Sequence, residues 1–320
     1  MDNNLTLETF QIDQPIPLHP CSGWPKAAVH HFDRKQAIAV LAAKEINRPL
    51  LVRGEPGCGK TQMARAVAQI LKMPLVTLVV NERTETEDLF WHYDALRRLS
   101  DANTSEDGVR AEEEYLSAGP LWWALNHTEA KKYRGRQSWQ PDMGGTGDKR
   151  FYKNGVVLLI DEIDKADRSV PNSLLEALGN YSFQVPYLGK RIEKKGPDPL
   201  IIITTNREQE LPPAFERRCL VLDMSLPDEN KDEFVQLLSE RGKALYQDQF
   251  QSDEIFTTLA QQVWDKRDQQ NKAGSLKKPG QAEYLDHLEA ALAIKKYETG
   301  ITDRETEEIL AALTYGKYRG

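Results

Sequence analysis

Cysteine is scarce: Cys21, Cys58 and Cys219 are the only three in 320 residues, and none belongs to a Cys-x-x-Cys pair. That excludes a disulfide framework and leaves reduced thiols as the expectation. Long apolar runs are missing as well. The longest, Val156–Ile160 and Leu200–Ile203, have the length of buried strands, far below the ~20 residues of a membrane helix. No membrane partner is expected. Basic excess is the third absence, since the formal net charge is -7. Binding of nucleic acid irrespective of its sequence draws its affinity from Lys and Arg neutralising phosphates. Nucleic acid is therefore not an expected partner, although a local basic patch stays open. The opening Met1-Asp2-Asn3-Asn4 lacks the basic start and apolar stretch of a secretion signal, so a cytoplasmic location is expected.

What is present is an ordinary globular composition, 40% hydrophobic and 28% charged, in a chain long enough for one large α/β unit and a smaller companion. Residues 1–30 are rich in proline and polar groups, show no strand or helix periodicity, and read as an extended segment. Asp33 is placed as a helix N-cap, and Pro49 ends that helix. A strand at Leu50–Val52 runs into a glycine-rich loop, followed by a helix over Lys60–Leu71 and a second strand over Leu75–Val80. Strand, loop, helix, strand is the pattern of a parallel sheet with helices on its faces. Residues 82–150 are charged and irregular apart from the apolar Gly119–Leu125. Residues 128–155, with Gly144-Gly145-Thr146-Gly147, read as a mobile insertion. Strand character returns at Val156–Ile160 and Leu200–Thr204, with a helix carrying Leu174, Leu175, Ala177 and Leu178 between them. Beyond Pro227 amphipathic helices are expected to the end, with Phe234, Leu237, Leu238, Leu285 and Leu288 on their apolar stripes. The expected division is an extended segment over 1–30, an α/β unit over 31–226 and a helical unit over 227–320, without internal repeats.

The loop Gly54-Glu55-Pro56-Gly57-Cys58-Gly59-Lys60-Thr61, followed by Gln62, carries the strongest chemical signal. Glycines allow backbone N–H groups to converge on anionic oxygens, and a helix N-terminus behind them adds its dipole. In such a loop Lys60 bridges the β- and γ-phosphates of a nucleotide and the Thr61 hydroxyl ligates Mg2+. Cys58 fills a free position of the motif and is assigned no chemistry. Five apolar residues, Val156–Ile160, then end in the acids Asp161 and Glu162. Asp161 is placed to hold Mg2+ through water and Glu162 to polarise an attacking water. The alternative for such a pair is two carboxylates favouring a helix dipole. Asp164 and Lys165 read as solvated residues of a helix start. Asn206, after the strand Leu200–Thr205, either holds the lytic water or simply turns the chain. Tyr181–Glu193 alternates around a glycine and reads as a hairpin.

Together with Leu159–Ala166, Leu174–Leu178, Thr204-Thr205-Asn206 and Leu211–Cys219, these features resemble the AAA+ ATPases, and among them the MoxR-like branch, across about residues 25–300. The resemblance implies ATP and Mg2+ as cofactors and a parallel-sheet P-loop core with a C-terminal helical lid. It implies that Asn206 is the sensor-1 residue and that Phe215–Cys219 holds an arginine finger reaching the neighbouring subunit's γ-phosphate. Arg218 matches that finger best, with Arg217 as the alternative; an Arg pair at a helix end also serves as a dipole partner. The hairpin is either one that projects toward a ring's central pore or an ordinary surface hairpin. Lys278, in Lys277-Lys278-Pro279-Gly280, is the match to the basic sensor-2 residue, against a merely solvated lysine. The implied function is a ring-forming ATPase, a hexamer, that remodels a protein partner, one with a von Willebrand factor A-type domain being suggested. The alternative is a nucleotide-dependent switch or DNA-associated motor of a defence or restriction module.

Overall fold

In the computed structural model, which describes residues 6–12, 14–20, 24, 28–104, 109–135, 141–142, 149–274, 278–297, 301 and 305, every residue of Val157–Asp161 and Leu200–Thr205 is buried. Continuous burial is what parallel strands covered on both faces require, and it explains why these segments are apolar without alternation.

The chain begins with two short strands, β1 (Pro15–Leu18) and β2 (Ala28–His31), paired antiparallel. The reading of no strand periodicity in residues 1–30 is corrected at Pro15–Leu18 and Ala28–His31. Pro15 and Pro17 face outward while Ile16 and Leu18 are buried, an alternation the prolines obscure in the sequence, and a strand of a two-stranded ribbon tolerates proline at its edge. Helix α1 (Arg34–Glu45) follows, with the Asp33 carboxylate capping it through the Gln36 N–H at 2.7 Å. Then come β3 (Leu50–Arg53), α2 (Lys60–Ile70) and β4 (Leu75–Val79). The stretch expected to be irregular contains β5 (Trp91–Tyr93), α3 (Ala95–Thr104), β6 (Leu116–Ala118), α4 (Pro120–Leu125) and α5 (His127–Ala130), with β5 and β6 paired antiparallel. Its short strands and helices fall below the length at which periodicity is legible. Gly144–Gly147 lies outside the described residues.

After β7 (Val157–Asp161) and α6 (Ser169–Asn180), a hairpin of β8 (Ser182–Val185) and β9 (Lys190–Glu193) precedes β10 (Leu200–Thr205), α7 (Pro213–Glu216) and β11 (Leu220–Asp223). Three helices close the described chain: α8 (Lys231–Tyr246), α9 (Glu254–Lys272) and α10 (Gln281–Tyr297). None of the described helices is long and apolar enough to cross a membrane.

The central sheet is parallel, in the order β11-β3-β10-β7-β4. Its side chains alternate between two cores, as strand geometry demands. Leu50, Val52, Leu159 and Ile202 join a cluster with α2 that continues into Phe234, Phe256 and Leu288 of α8–α10. Leu51, Leu158, Ile160 and Ile203 face the other side, against Trp122, Trp123 and Phe183. Because β3, β7 and β10 run in the same direction and pair in register, their C-terminal ends come out side by side. That edge is where an open α/β sheet presents loops to a ligand.

Candidate functional site

At the end of β3 the chain turns through Gly54 into the loop that starts α2. A Cβ on Gly54 would stand 2.1 Å from the Met224 carbonyl oxygen, so no larger residue fits without moving backbone. Gly59, the N-cap of α2, has φ 100°, a left-handed conformation that glycine adopts without penalty. Between them the loop wraps around the first-turn N–H groups of α2, which have no partner inside the helix and so make an anion site.

Lys60 is buried despite its charge. Its Nζ donates to the carbonyls of Gly54 and Glu55 and to Asn206 Oδ1, each at 2.8 Å. Thr61 Oγ1 donates to both Asp161 oxygens, at 3.1 and 2.9 Å, and thereby joins the loop to the end of β7. Burial lifts the Asp161 carboxyl above its ordinary pKa, while hydrogen bonds from Thr204 and Thr61 pull it down. Two hard oxygen donors converging beside the cradle suit a small divalent cation, which takes one or two protein oxygens and completes its shell from phosphate and water. The residues present therefore fit Mg2+ and a nucleotide triphosphate. Burial raises the Cys58 thiol, which keeps it protonated and chemically inert.

Glu162 follows Asp161 with φ 61° and ψ 46°. A non-glycine residue in that region costs about 1–2 kcal/mol and needs its surroundings to hold it there. Thr204, fully buried on β10, does so: its Oγ1 accepts the Glu162 N–H at 2.9 Å and donates to Asp161 Oδ1 at 2.5 Å. The Glu162 carboxylate accepts from Asn206 Nδ2 at 3.1 Å and from Lys165 Nζ at 2.6 Å. Asn206 thus touches the cradle lysine through its oxygen and the acid through its nitrogen.

Asp164 and Lys165 correct the expectation of solvated residues at a helix start. Ile163–Lys165 is a single 3-10 turn and α6 begins only at Ser169, so the tight turn rolls Asp164 inward. Asp164 is 2% exposed and accepts from the backbone N–H groups of Asn206, at 3.2 Å, and Glu208, at 3.0 Å. It holds the turn that aims Asn206. Lys165 is paired with Glu162, and that hydrogen bond raises its pKa.

The C-terminal helices close over the cradle. A Cβ on Gly57 would lie 3.1 Å from Ala282 Cβ at the start of α10. Arg267 of α9, 1% exposed, pairs with Glu55, donates through Nε to Asp228 Oδ1 at 2.5 Å and through Nη1 to the Pro279 carbonyl at 2.9 Å. Lys278 Nζ stands 3.3 Å from Asp228 Oδ2 and 3.6 Å from Glu55 Oε1; Lys277 lies outside the described residues. Beside Cys58 opens a cavity of about 360 Å³, walled by Phe32, Asp33, Met224, Leu237 and Arg241. Sequence reasoning missed this cavity, Thr204 as a support, Arg267 and Arg241. Their contributions come from segments far apart in the chain, and no local spacing links them.

Gln62 lies in the first turn of α2, beside Thr61 and partly exposed, and Pro56 is on the outer turn of the loop. Arg217 and Arg218 are exposed just after α7. Arg218 lines a cavity with Arg48, Pro49, Pro199 and Ile201, at the edge where β3 and β10 begin. The cradle and Asn206 are at the opposite edge, a strand length of about 13–20 Å away.

Residues 49–219, just over half of the chain, match the family described as AAA domain (dynein-related subfamily). The chain is 28% identical over 131 residues to the aerobic cobaltochelatase subunit CobS of a Sinorhizobium species, covering 41% of this chain and 36% of that protein. It is 26% identical over 194 residues to midasin of Giardia intestinalis, covering 58% of this chain and 3% of that protein. The chain therefore spans a minor part of the length of either relative. A mutant RuvB of Thermotoga maritima has a similar fold, with a TM-score of 0.50 at 15% identity, covering 88% of this chain and 71% of that one. With its parallel sheet, its glycine cradle and its C-terminal helices in place, the chain belongs to the AAA domain family, dynein-related subfamily, among the AAA+ P-loop NTPases.

Proposed function

We propose that this protein is a Mg2+-dependent ATPase of the MoxR-like type that works as a ring, a hexamer, and remodels or activates a protein partner in the cytoplasm. The observation that carries the reading is the bridge made by Asn206, which joins Lys60 to Glu162 at the mouth of the cradle. A chain that only bound nucleotide would have no need to align an acid and a strand-end amide against the phosphate-binding lysine.

In this reading Gly54–Thr61 and Gln62 cradle the phosphates, and Lys60 turns its ammonium group from the loop carbonyls to them. Thr61 and Asp161 hold Mg2+, which supplies charge neutralisation at the phosphates. Glu162 polarises the attacking water, and Asn206 positions that water and the acid together. Lys165 holds the carboxylate in its resting direction. Residues 227–320 act as the lid over the 31–226 core, and Lys278, which faces Asp228 and Glu55, is its candidate sensor-2 residue.

Ring assembly is supported by Arg218 and Arg217, which are exposed at the sheet edge opposite their own cradle. An arginine there serves phosphoryl transfer by reaching the site of a neighbouring copy, where a guanidinium stabilises the transferring group. One relative bears the name of a chelatase subunit, which supports a chain that acts within a larger assembly. A von Willebrand factor A-type protein is the partner class to test first.

The deciding experiment is affinity capture with Glu162→Gln in the presence of ATP, together with sizing of the complex. A nucleotide-dependent ring holding a specific protein is the expected result. A chain that stays monomeric with ATP and keeps full turnover after Arg218→Ala would refute the ring. Hydrolysis stimulated by DNA and by no protein would instead favour a DNA-associated motor, against which the net charge of -7 argues.

A further inference from the structure

Val79 ends the edge strand β4 with its side chain 52% exposed, although it stands in register with Asp161 of β7. Residues paired in register lie about 4.8 Å apart and share a face of the sheet, so an apolar side chain flanks the carboxylate beside the cradle. The other face of β4 is used inside the chain, where Val76 and Leu78 are buried. One exposed valine is ordinary on a protein surface. What singles out Val79 is a counterpart elsewhere on the same chain.

That counterpart lies at the opposite edge of the sheet. The cavity beside Arg218, about 150 Å³, is walled by Pro49, Leu175, Leu178 and Ile201, and its charged lining is Arg48 and Arg218 alone. Neither guanidinium has a hydrogen-bond or ion-pair partner among the described residues. The volume is below the ~300 Å³ at which small-molecule sites begin, and an apolar wall of this size suits a single aliphatic side chain. Around Val79 the charges are the other way round. Asp161 and Glu162 are its nearest acids, while the cations there, Lys60 and Lys165, are turned to Asn206 and to Glu162. Glu82 and Arg83, exposed just beyond, are of opposite sign and balance each other. A filled cradle adds the negative charge of its phosphates to this edge.

Resting on the ring reading above, we infer that Val79 of one copy seats in the Arg218 cavity of the next. The knob and its socket are at opposite edges of one chain, so the contact between them is head-to-tail, the kind that closes into a ring and cannot pair two copies face to face. The apolar fit sets the register between copies. Because Arg218 is part of the socket and Asp161 is the neighbour of the knob, the same register carries the guanidinium to the carboxylates and phosphates of the adjoining site, where forked donors pair well.

The test is cross-linking of the full chain with Cys21→Ser as background, in which Cys58 and Cys219 are buried. To it are added Val79→Cys and Gly179→Cys; Gly179 lines the cavity, and a Cβ there meets nothing within 4 Å. A disulfide forms only where Cα atoms come within about 7 Å of each other. Under copper phenanthroline with ATP and Mg2+, chains carrying both cysteines should give a ladder of covalent multimers that ends at the ring. A mixture of the two single-cysteine chains should give dimers only, and either one alone should give none. Val79→Ser should raise about tenfold the protein concentration at which assembly is half complete. The melting temperature of the unassembled chain should stay as it was, since Val79 is exposed there. Absence of the ladder in a preparation that sizes as a ring would overturn this contact and leave the ring reading standing. Dimers from either single-cysteine chain alone would overturn it too, by marking a face-to-face contact, as would an assembly midpoint unmoved by Val79→Ser. A wild-type chain that sizes as a monomer with ATP removes the ring reading, and this contact with it.

Discussion

Replacing Thr204 with valine removes one hydroxyl from a side chain of nearly the same shape. That hydroxyl donates to Asp161 Oδ1 at 2.5 Å and accepts the Glu162 N–H at 2.9 Å. Thr204 is fully buried, so water cannot take its place. A hydrogen bond to a charged group contributes about 1.5–3 kcal/mol, and a buried amide left unsatisfied costs about 1–3 kcal/mol. Part of this sum appears as lost stability, about 2–4 kcal/mol, measurable as a lower urea midpoint. Turnover reports a separate effect. With the Glu162 backbone no longer pinned in its left-handed conformation, the acid and Asp161 both drift, and kcat should fall about 10- to 100-fold, equivalent to about 1.4–2.7 kcal/mol. KM for ATP should change less than about threefold, because the loop and Lys60 are untouched. Phosphate release at saturating ATP measures the first quantity and its concentration dependence the second. Thr204→Ser should recover most of the loss. Folded Thr204→Val with kcat within twofold of wild type, or with a raised KM and unchanged kcat, would refute the reasoning.

Glu162→Gln should slow phosphate release about 100-fold or more while ATP binding persists; unchanged turnover would remove Glu162 from the catalytic role. Mixing Lys60→Ala with Arg218→Ala chains should restore activity above either alone if sites are shared between copies, and sizing plus phosphate release on the mixture checks it. Arg267→Met leaves Asp228 and Glu55 with Lys278 as their remaining cation among the described residues and should cost about 2–4 kcal/mol by urea unfolding, discounted because both carboxylates are partly exposed. His30 is held near pKa 3 by burial, with Arg241 adding to the effect, against 6.5 in an unfolded chain. Below pH 6.5 the unfolded chain therefore takes up a proton that the folded chain refuses, so stability is full above pH 6.5 and falls on acidification toward pH 3. The slope approaches about 1.4 kcal/mol per pH unit, and melts of wild type and His30→Gln should diverge over that window.

The parallel sheet was legible because its strands announce themselves through burial. Val157–Asp161 and Leu200–Thr205 are covered on both faces, and nothing but an apolar run satisfies that. The Asp33 cap and the hairpin at Ser182–Glu193 were legible for a similar reason, since each is determined by residues three to eleven positions apart. The first ribbon was not. Pro15 and Pro17 occupy outward positions of β1, where proline is tolerated at an edge, yet in the sequence they read as strand breakers. Burial of Asp164 was hidden for another reason: whether Ile163–Lys165 is a lone 3-10 turn or the first turn of a helix depends on the strand behind it. The amides that Asp164 accepts from belong to residues 206 and 208, beyond the reach of local pattern.

The same distinction divides the loop Gly54–Thr61 itself. Gly54, Gly59, Lys60 and Thr61 face constraints that any phosphate ligand imposes, so their chemistry can be read without the fold. Glu55 and Cys58 sit at the motif's free positions, where the ligand imposes nothing. In the folded chain these two positions meet the C-terminal helices. Glu55 pairs with Arg267, 212 residues away, and Cys58 walls the cavity that Arg241 enters. What a ligand demands is written into the motif's fixed positions, and what the chain does in response to the ligand is written into the rest. Coupling between a filled cradle and the movement of α8–α10 should therefore be altered by Glu55→Gln more than by any change on the outer faces of those helices. The ATP-induced shift in their amide hydrogen exchange is the quantity that separates the two.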